Sequence, residues 1–452
     1  MAFHQMFDLP SEPISIGVFP REHSDSGWFA ILDGVPPANK LNGSESVDWL
    51  IIGGGWMGLH ATQRLAELRP NDRIALVDAG RIGNNTGGRC AGFAIDLAHN
   101  PRKENFAEDT EGNQEEAKIN RGGIAYMEEL VDRLGLDCDW SPEGKIHGAV
   151  GNRGRACLAS FAAALDKIGE PYEWYDAARM REVVGNGYFS QGLLTPGTVI
   201  MQPAAYLRRL ADRLPDNVSL FENSPIVKVC YGAPTHLFET SESSFRAKNV
   251  ILANNGFLTN FGFYAGTAIP VCTFGSLTRP LAEHEQKLIG GRGAYGLIPA
   301  ESFGTTMRRT ADNRIFIRNV YDYARDFEVT SNMIERARRR HQETFNDRYP
   351  EIAGIGFEHS WGGGFCLAQN GGMVFGQLAE NIFGVAFCNG TGVARGTAFG
   401  KSIAELACGY NNEAIGTLQR RASPTKAYPR FITEPGVRLT TRYRLWHAGK
   451  EV

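Results

Sequence analysis

Hydrophobic residues in the first hundred positions alternate between runs typical of buried strands and runs with helical spacing. The apolar run VDWLII (47–52) predicts a buried strand, and a glycine turn follows it. The next segment, WMGLHATQRLAEL (56–68), repeats small and apolar residues every three or four positions, which predicts a helix with one buried face. RPND then predicts a turn, and RIALVD (73–78) predicts a second buried strand. Together these elements predict a βαβ unit.

Later segments continue this alternation of strands and helices. Helices are predicted in residues 104–134, 154–168, 201–214 and 331–352, and strands in residues 224–232, 245–256 and 270–320. Near the C-terminus, the apolar run NIFGVAFCNG leads into a second glycine turn and a helix. Strands that alternate with helices in this way predict an α/β protein.

Length and composition narrow the class of protein further. The 452 residues exceed one small core, which predicts two subdomains or one large α/β unit. A net charge of −3 is atypical of a general nucleic-acid-binding protein. The N-terminus lacks a secretory pattern and no uncharged run reaches about 18 residues, so we expect a cytoplasmic protein without integral membrane association. Eight scattered cysteines without a CxxC pair predict neither a disulfide framework nor a metal site.

The first glycine turn has the spacing of a dinucleotide-binding motif. Gly53, Gly55 and Gly58 form G-x-G-x-x-G between a predicted strand and helix, and Asp78 ends the following strand. The first glycine permits the tight turn, the second lets a pyrophosphate approach the backbone, and the third lets helix and strand pack closely. The helix N-terminus offers N–H groups to the phosphates, and Asp78 is placed to accept hydrogen bonds from a ribose. We therefore predict a bound dinucleotide.

The second glycine turn favours FAD over NAD as that dinucleotide. In FCNGTGVARGTAFGKSIAELA, a strand again leads through glycines into a helix. The positive end of such a helix favours negative charge on a reduced flavin ring. Taken alone, the segment is more typical of an ordinary helix cap. An NAD dehydrogenase, however, would leave a second turn of this kind unexplained.

In this order the segments resemble flavoproteins of the D-amino-acid oxidase and sarcosine oxidase family, and within it the γ-glutamylputrescine oxidoreductases. The similar segments are GGRCAGF (87–93), SPIVKV (224–229), VILANNG (250–256), SLTRPL (276–281), MRRTADNRIFI (307–317) and WGGGFCLAQNGG (361–372). The resemblance spans nearly the whole chain. It implies a glutathione-reductase-like FAD-binding Rossmann domain plus a substrate domain with a mixed β-sheet, α/β in class and α+β overall.

The resemblance also implies a discontinuous organisation. The FAD-binding domain is expected in residues 1–105, 192–260 and 370–452, and the substrate-binding domain in residues 106–191 and 261–369. The resemblance and the glycine motif together predict the cofactor-binding residues Gly53, Gly55, Trp56, Met57, Gly58, Asp78, Ala79, Gly88, Arg89, Cys90, Ala91, Gly92, Val227, Ala253, Asn254, Asn389, Gly390, Thr391, Gly392 and Val393. Val227 is expected to contact the adenine through its backbone, and Arg89 to contact the phosphate or the flavin.

Three departures from the family pattern bear on how FAD is held. The final loop reads NGTGV where the family usually has Gly-His-Gly. RCAG replaces the His-Ala-Ala-Gly of relatives with a histidyl-linked flavin, so that link is not expected. Cys366 lies close to where sarcosine oxidases attach flavin through cysteine, and Cys90 replaces an asparagine of the family loop. Since a free cysteine is usually a small apolar filler, we expect FAD to be non-covalent, with attachment through Cys366 or Cys90 as the alternative.

The resemblance implies an enzyme that oxidises the C–N bond of a small amine or amino acid by hydride transfer to flavin, giving an imine that hydrolyses. Oxygen or another electron acceptor then reoxidises the flavin. The expected catalytic residues are Arg308, over the active site, and the pocket aromatics Trp361 and Phe365, with Tyr264 considered on the same basis. Their structural alternatives are an arginine on a strand surface and aromatics in the core. No triad or metal is expected, because flavin carries the chemistry.

Two other functions fit the same motifs. One is a D-amino-acid or glycine-type oxidase or dehydrogenase of this family, and the other is a flavin-binding protein with little catalysis. The tail from Arg420 to Glu451 has eight Lys and Arg residues against two acidic ones. That charge suits docking on a membrane surface or on an electron acceptor. The tail also contains Phe431, Tyr443, Leu445 and Trp446, which predicts instead that it packs back over the domain.

Overall fold

The computed structural model of the chain describes residues 6–98 and 109–452. The predicted helix start at Glu104 and the predicted domain boundary at 105/106 lie outside these ranges. The strands are Ile14–Ser15 (β1), Arg21–Glu22 (β2), Ser44–Ile52 (β3), Ile74–Val77 (β4), Phe93–Ala94 (β5), Lys145–Ala149 (β6), Glu173–Asp176 (β7), Gln191–Thr195 (β8), Val199–Ile200 (β9), Val218–Phe221 (β10), Lys228–Cys230 (β11), His236–Glu239 (β12), Ser244–Leu252 (β13), Ala268–Thr278 (β14), Tyr295–Pro299 (β15), Thr306–Arg309 (β16), Ile315–Tyr323 (β17), Glu328–Val329 (β18), Phe357–Ala368 (β19), Val374–Ala379 (β20) and Ile382–Ala386 (β21). The α-helices are Gly27–Ala30 (α1), Trp56–Leu68 (α2), Thr110–Leu134 (α3), Asn152–Ile168 (α4), Ala177–Val184 (α5), Pro203–Ala211 (α6), Glu283–Ile289 (α7), Ser331–Arg348 (α8), Ala394–Ala407 (α9), Glu413–Arg420 (α10) and Arg430–Ala448 (α11).

The first sheet has a parallel core in the order β10-β4-β3-β13-β21. Strands β11 and β12 extend it as an antiparallel meander from β13. Leu50, Ile51 and Ile52 at the end of β3 are all buried, as a strand covered on both faces requires. Helix α2 leads from β3 to β4, and the two strands pair in parallel. The predicted βαβ unit is therefore confirmed.

The second sheet has eight strands in the order β19-β14-β17-β16-β15-β6-β8-β7. Its pairs are antiparallel except β15 with β6, so the sheet is mixed. The predicted strand region 270–320 contains β14 to β17, and also the short helix α7, which the hydrophobic pattern did not indicate. Two large sheets, one with a five-stranded parallel core and one mixed, confirm the predicted fold class.

Two helices bear on the predicted division into domains. Helix α3, placed by the sequence in the substrate-binding part, packs on α9: a Cβ built on Gly123 would lie 2.1 Å from the carbonyl oxygen of Ala394. Helix α11, placed in the FAD-binding part, packs against β17 of the second sheet. The two-domain division stays a prediction, and these contacts lie between the two predicted domains.

The C-terminal tail packs back over the second sheet. The Glu451 carboxylate accepts hydrogen bonds from the N–H groups of Val150 and Gly151 at the start of α4, at 3.0 and 2.9 Å. The aromatic residues expected to drive this packing do not do so, since Phe431 and Trp446 are 78% and 77% exposed. Within residues 6–98 and 109–452, none of the helices has the length and apolar character that a membrane crossing needs.

Candidate functional site

One cavity of about 730 Å³ extends from the glycine turn after β3 to the face of the second sheet. The turn residues Gly53 and Gly55 line one end, and strand residues Val271 and Arg318 line the other. The loop 85–93 and the turn 388–394 line the region between them. The two predicted glycine turns, far apart in sequence, therefore meet in one cavity.

Each glycine of the first motif has its own steric reason. Gly53 has φ +102°, and a Cβ there would lie 2.9 Å from the carbonyl oxygen of Ala253. A Cβ on Gly58 would lie 1.7 Å from the carbonyl oxygen of Gly53, so only glycine lets α2 pack this closely on the strand. Gly55 meets nothing within 4 Å and faces the cavity. The free space at Gly55 fits a pyrophosphate at the helix N-terminus.

The polar groups around this turn suit a nucleotide. No side chain caps α2 and its first turn has no acidic residue, so the positive end of the helix faces the cavity. Asp78 accepts hydrogen bonds from the N–H groups of Gly54 and Gly80, at 2.7 and 2.8 Å. Among the described residues, the buried Oδ1 atoms of Asn85 and Asn254 have no hydrogen-bond partner, although both residues line the cavity. These orphaned acceptors fit a ligand with several hydroxyl groups.

The backbone groups of Val227, the predicted adenine contact, are paired within the protein. Val227 donates its N–H to Glu239 O at 2.7 Å and accepts from the N–H of Ile16 at 2.8 Å, so both of its backbone groups are already paired. Ile226 lines the cavity, whereas Val227 does not. The prediction for Val227 is therefore wrong, because both backbone groups that would bind the adenine are already paired within the protein.

Arg89 holds the loop 85–93, called the cofactor loop below, through contacts within the protein. Its guanidinium donates to Asn84 O at 2.8 Å and Gly362 O at 3.0 Å, and lies 3.0 Å from the carboxylate of Glu22. Burial raises the pKa of Glu22, against the opposing charge of Arg89. The charged group of Arg89 thus fastens the loop to β19. Arg89 also lines the cavity, and its contact with the phosphate or the flavin stays a prediction.

Two of the three predicted catalytic residues lie behind this loop. The buried Arg308 donates to Ala91 O and Met201 O, both at 2.7 Å. Trp361 is fully buried, and its indole N–H donates to Arg89 O at 3.1 Å. Neither residue lines the cavity, so both predictions need correction to loop-positioning roles. The third predicted residue, Phe365, does lie in the cavity wall.

The second glycine turn presents another helix N-terminus to the cavity. Residues 389–393 line the cavity immediately before α9. No side chain caps α9, and its first turn has no acidic residue. Asn389 fixes the turn by accepting from the N–H of Ala368 at 2.9 Å and donating to Gly371 O at 3.1 Å. The turn therefore holds its shape without the family's histidine.

Comparison with known proteins agrees with this geometry. The model of the FAD dependent oxidoreductase family, DAO, matches residues 48–406. The chain belongs to this family. It is 25% identical over 393 residues to gamma-glutamylputrescine oxidoreductase of Escherichia coli, covering 85% of this chain and 89% of that protein. It is 22% identical over 427 residues to the probable oxidoreductase OrdL of Haemophilus influenzae, covering 90% and 93%. In structure it is similar to glycine oxidase from Geobacillus kaustophilus, with TM-score 0.65, 18% identity and coverage of 85% and 100%.

The cofactor of this FAD-dependent oxidoreductase is FAD, and the cavity fits it. Most of the predicted cofactor residues line the cavity: Gly53, Gly55, Trp56, Met57, Asp78, Ala79, Arg89, Cys90, Ala91, Gly92, Ala253, Asn254, Asn389, Gly390, Thr391, Gly392 and Val393. Gly58 and Gly88 do not line it but permit close packing, since a Cβ on either would lie within 2 Å of a carbonyl oxygen.

The cysteines bear on how FAD is attached. Cys366 is buried with its Sγ 3.3 Å from Asn255 Oδ1. Its strand neighbours Phe365 and Leu367 line the cavity, whereas Cys366 faces away. Cys90 and Cys388 do line the cavity, and burial raises the pKa of Cys90 to about 11. Cys388 is a cavity residue that the sequence analysis did not predict.

We predict that acid precipitation releases all the flavin from the protein, because the cavity-lining Cys90 is held as a neutral thiol and is a weak nucleophile. Flavin absorbance of the supernatant and the pellet measures this. Yellow colour in the wild-type pellet that disappears in Cys90→Ala, but not in Cys366→Ala, would show a covalent link through Cys90.

Other site residues carried no sequence motif. Ile269, Val271 and Thr273 alternate along β14 and line the cavity, and helix α11 contributes Ile432 and Val437. The alternation of these residues along β14 is visible in the sequence, but such a pattern does not distinguish residues that line a cavity from residues that pack in a core. The contribution of α11 depends on the tail folding back from the far end of the chain.

Proposed function

We propose that the protein oxidises the C–N bond of a small amine, in the manner of a γ-glutamylputrescine oxidase, with non-covalently bound FAD. The observation that carries the proposal is the single cavity that joins the dinucleotide turn to an apolar wall on the second sheet. The 25% identity to gamma-glutamylputrescine oxidoreductase over most of both chains supports the substrate class.

The wall next to the cofactor loop suits this chemistry. Phe365, Val271 and Ile269 form an apolar surface beside Gly363 and Gly364. An apolar surrounding disfavours the ammonium ion, so the amine binds as the neutral base whose lone pair forms the new C=N bond. Bound FAD supplies the acceptor for the hydride equivalent that leaves the carbon. The uncapped start of α9 favours the negative charge that this transfer brings into the site.

The test is turnover of the purified holoprotein with γ-glutamylputrescine and, separately, with glycine. The proposal predicts ammonia and one carbonyl product from the longer amine. Turnover of glycine alone would support a glycine-type oxidase instead. Tightly bound flavin with no turnover of either would support a flavin-binding protein. Hydrogen peroxide formed in air distinguishes an oxidase from a dehydrogenase that needs another acceptor.

A further inference from the structure

An arginine–aromatic cluster lies in the part of the cavity lined by the second sheet. It consists of Phe303, Arg318, Tyr321 and Arg444, all in the cavity wall. The Cζ of Arg318 lies 5.3 Å from the centroid of the Tyr321 ring, and that ring lies 5.0 Å from the Phe303 ring. The Cζ of Arg444, on α11, lies 5.4 Å from the Phe303 centroid. Two cations thus flank a pair of aromatic rings.

Among the described residues, Arg318 has hydrogen-bond partners but no counter-ion. Its guanidinium donates to the hydroxyl of Tyr321 and, at 3.0 Å, to Thr306 Oγ1. Both partners are uncharged. In the described part of the chain no ion pair links Arg318 to a carboxylate, and its buried Nε has no partner. A half-buried guanidinium without a paired carboxylate is suited to bind the anionic group of a ligand.

The nearby carboxylates are occupied elsewhere. Asp322, which also lines the cavity, lies 3.5 Å from Arg336 and 3.6 Å from Arg438. Glu301 lies 2.6 Å from Arg153. Neither of these two carboxylates is paired with Arg318, so neither neutralises the charge that Arg318 presents to the cavity.

The sheet register sets how far the cluster lies from the cofactor loop. Arg318 on β17 pairs with Gly275 on β14, which pairs with Trp361 on β19. The loop rests on β19, because a Cβ on Gly363 would lie 3.1 Å from the Cβ of Arg89. Two strand spacings, about 10 Å, therefore separate Arg318 from the strand beneath the loop. This separation favours a substrate whose carboxylate lies several bonds from its reacting carbon over an α-amino acid, in which the carboxylate is attached to the reacting carbon.

We propose that the arginine–aromatic cluster binds a carboxylate at the end of the substrate remote from the oxidised C–N bond. The substrate class is then a long-chain amine with a distant carboxylate, selected over simple amines and over α-amino acids. This inference rests on the proposed function, since it assigns the far end of the same cavity. Arg318 binds the carboxylate directly, and Tyr321 and Thr306 hold its guanidinium in place.

The first test measures binding without any oxidation. Calorimetric titration compares ω-hydroxyoctanoate with ω-hydroxyoctanamide on the holoprotein, since neither compound is an amine. Wild type should bind the carboxylate roughly tenfold to a hundredfold more tightly than the amide, and Arg318→Gln should remove that preference. Arg339→Gln, an exposed arginine on α8 that pairs with Glu335 away from the cavity, is the matched control and should keep it. Equal binding of the two compounds by wild type, or an unchanged preference in Arg318→Gln, would overturn the inference.

The second test separates this inference from the proposed function. Anaerobic flavin reduction is measured with ω-aminooctanoate and with octylamine. Arg318→Gln should raise the concentration of ω-aminooctanoate needed for half-maximal flavin reduction roughly tenfold or more. The concentration of octylamine needed should stay unchanged, which also shows that the variant is folded. Reduction by both amines without any preference in wild type would contradict the inference alone. Failure of both amines, with the carboxylate still preferred in calorimetry, would contradict the proposed function alone.

Discussion

Gly55→Asp is expected to abolish FAD binding while the protein stays folded. Gly55 is the N-cap of α2, has φ −82° and faces the cavity with nothing within 4 Å of an added Cβ. Aspartate suits such an N-cap position and stabilises a helix by about 1 kcal/mol relative to residues that cannot cap. The same carboxylate occupies the space that the pyrophosphate needs and repels its charge. Flavin content of the purified protein and its circular dichroism spectrum together measure this result.

The matched control for this prediction is Gly187→Asp. Gly187 is exposed and likewise has nothing within 4 Å of an added Cβ, but it does not line the cavity. This variant should purify with the full complement of flavin. Full flavin in Gly55→Asp would show that the pyrophosphate does not lie at the first glycine turn. An unfolded Gly55→Asp would contradict the free space described at that position.

Arg308→Met is expected to lower both the stability of the protein and its affinity for FAD. The substitution leaves the carbonyl oxygens of Ala91 and Met201 without their donor, at a cost of about 2–5 kcal/mol. It also removes the guanidinium whose Cζ lies 5.1 Å from the Trp28 ring. Since Ala91 belongs to the cofactor loop, FAD should dissociate more readily. Denaturant unfolding and the dissociation constant for FAD measure the two effects.

Arg309→Met separates general destabilisation from loss of the cofactor loop. Arg309 is also buried, but it donates to Gly290 O at 2.7 Å, away from the cavity. Its loss should lower stability and leave the affinity for FAD unchanged. If Arg308→Met instead reduced turnover alone, with stability and FAD affinity intact, Arg308 would be a catalytic residue, as the sequence predicted.

The first βαβ unit was predictable because each of its signals is local. The apolar run of β3, the glycine spacing and the acidic end of β4 lie close together in the sequence, and each has one physical reason. The position of the second glycine turn was predictable as well. That the two turns line one cavity could be expected only from the family resemblance, since nothing local links Gly55 to Thr391.

The error at Val227 shows that the sequence of an extended segment does not reveal which of its residues face a site. The segment SPIVKV runs along the cavity. Ile226 and Val227 are neighbours in it, but only Ile226 faces the cavity. Along an extended segment the side chains and the backbone N–H and C=O groups both alternate with a period of two, so a shift of one residue exchanges groups that face the cavity for groups that face away. Hydrophobic residues occupy both positions, and the pattern alone does not distinguish them.

Arg308 and Trp361 show a different limit. Both belong to segments that resemble family motifs, but whether they face substrate or the underside of a loop depends on where residues 89–92 cross the sheet. The arginine–aromatic cluster could not be predicted from the sequence for a similar reason. It joins the loop before β16, strand β17 and helix α11, which meet only after the tail folds back.

Oxidation of the amine by bound FAD is measured by mixing the holoprotein anaerobically with γ-glutamylputrescine and following the visible flavin band. We expect the band to bleach in a single turnover, with one carbonyl product formed for each flavin reduced. Flavin that stays fully oxidised with γ-glutamylputrescine, and with ω-aminooctanoate, would contradict the account.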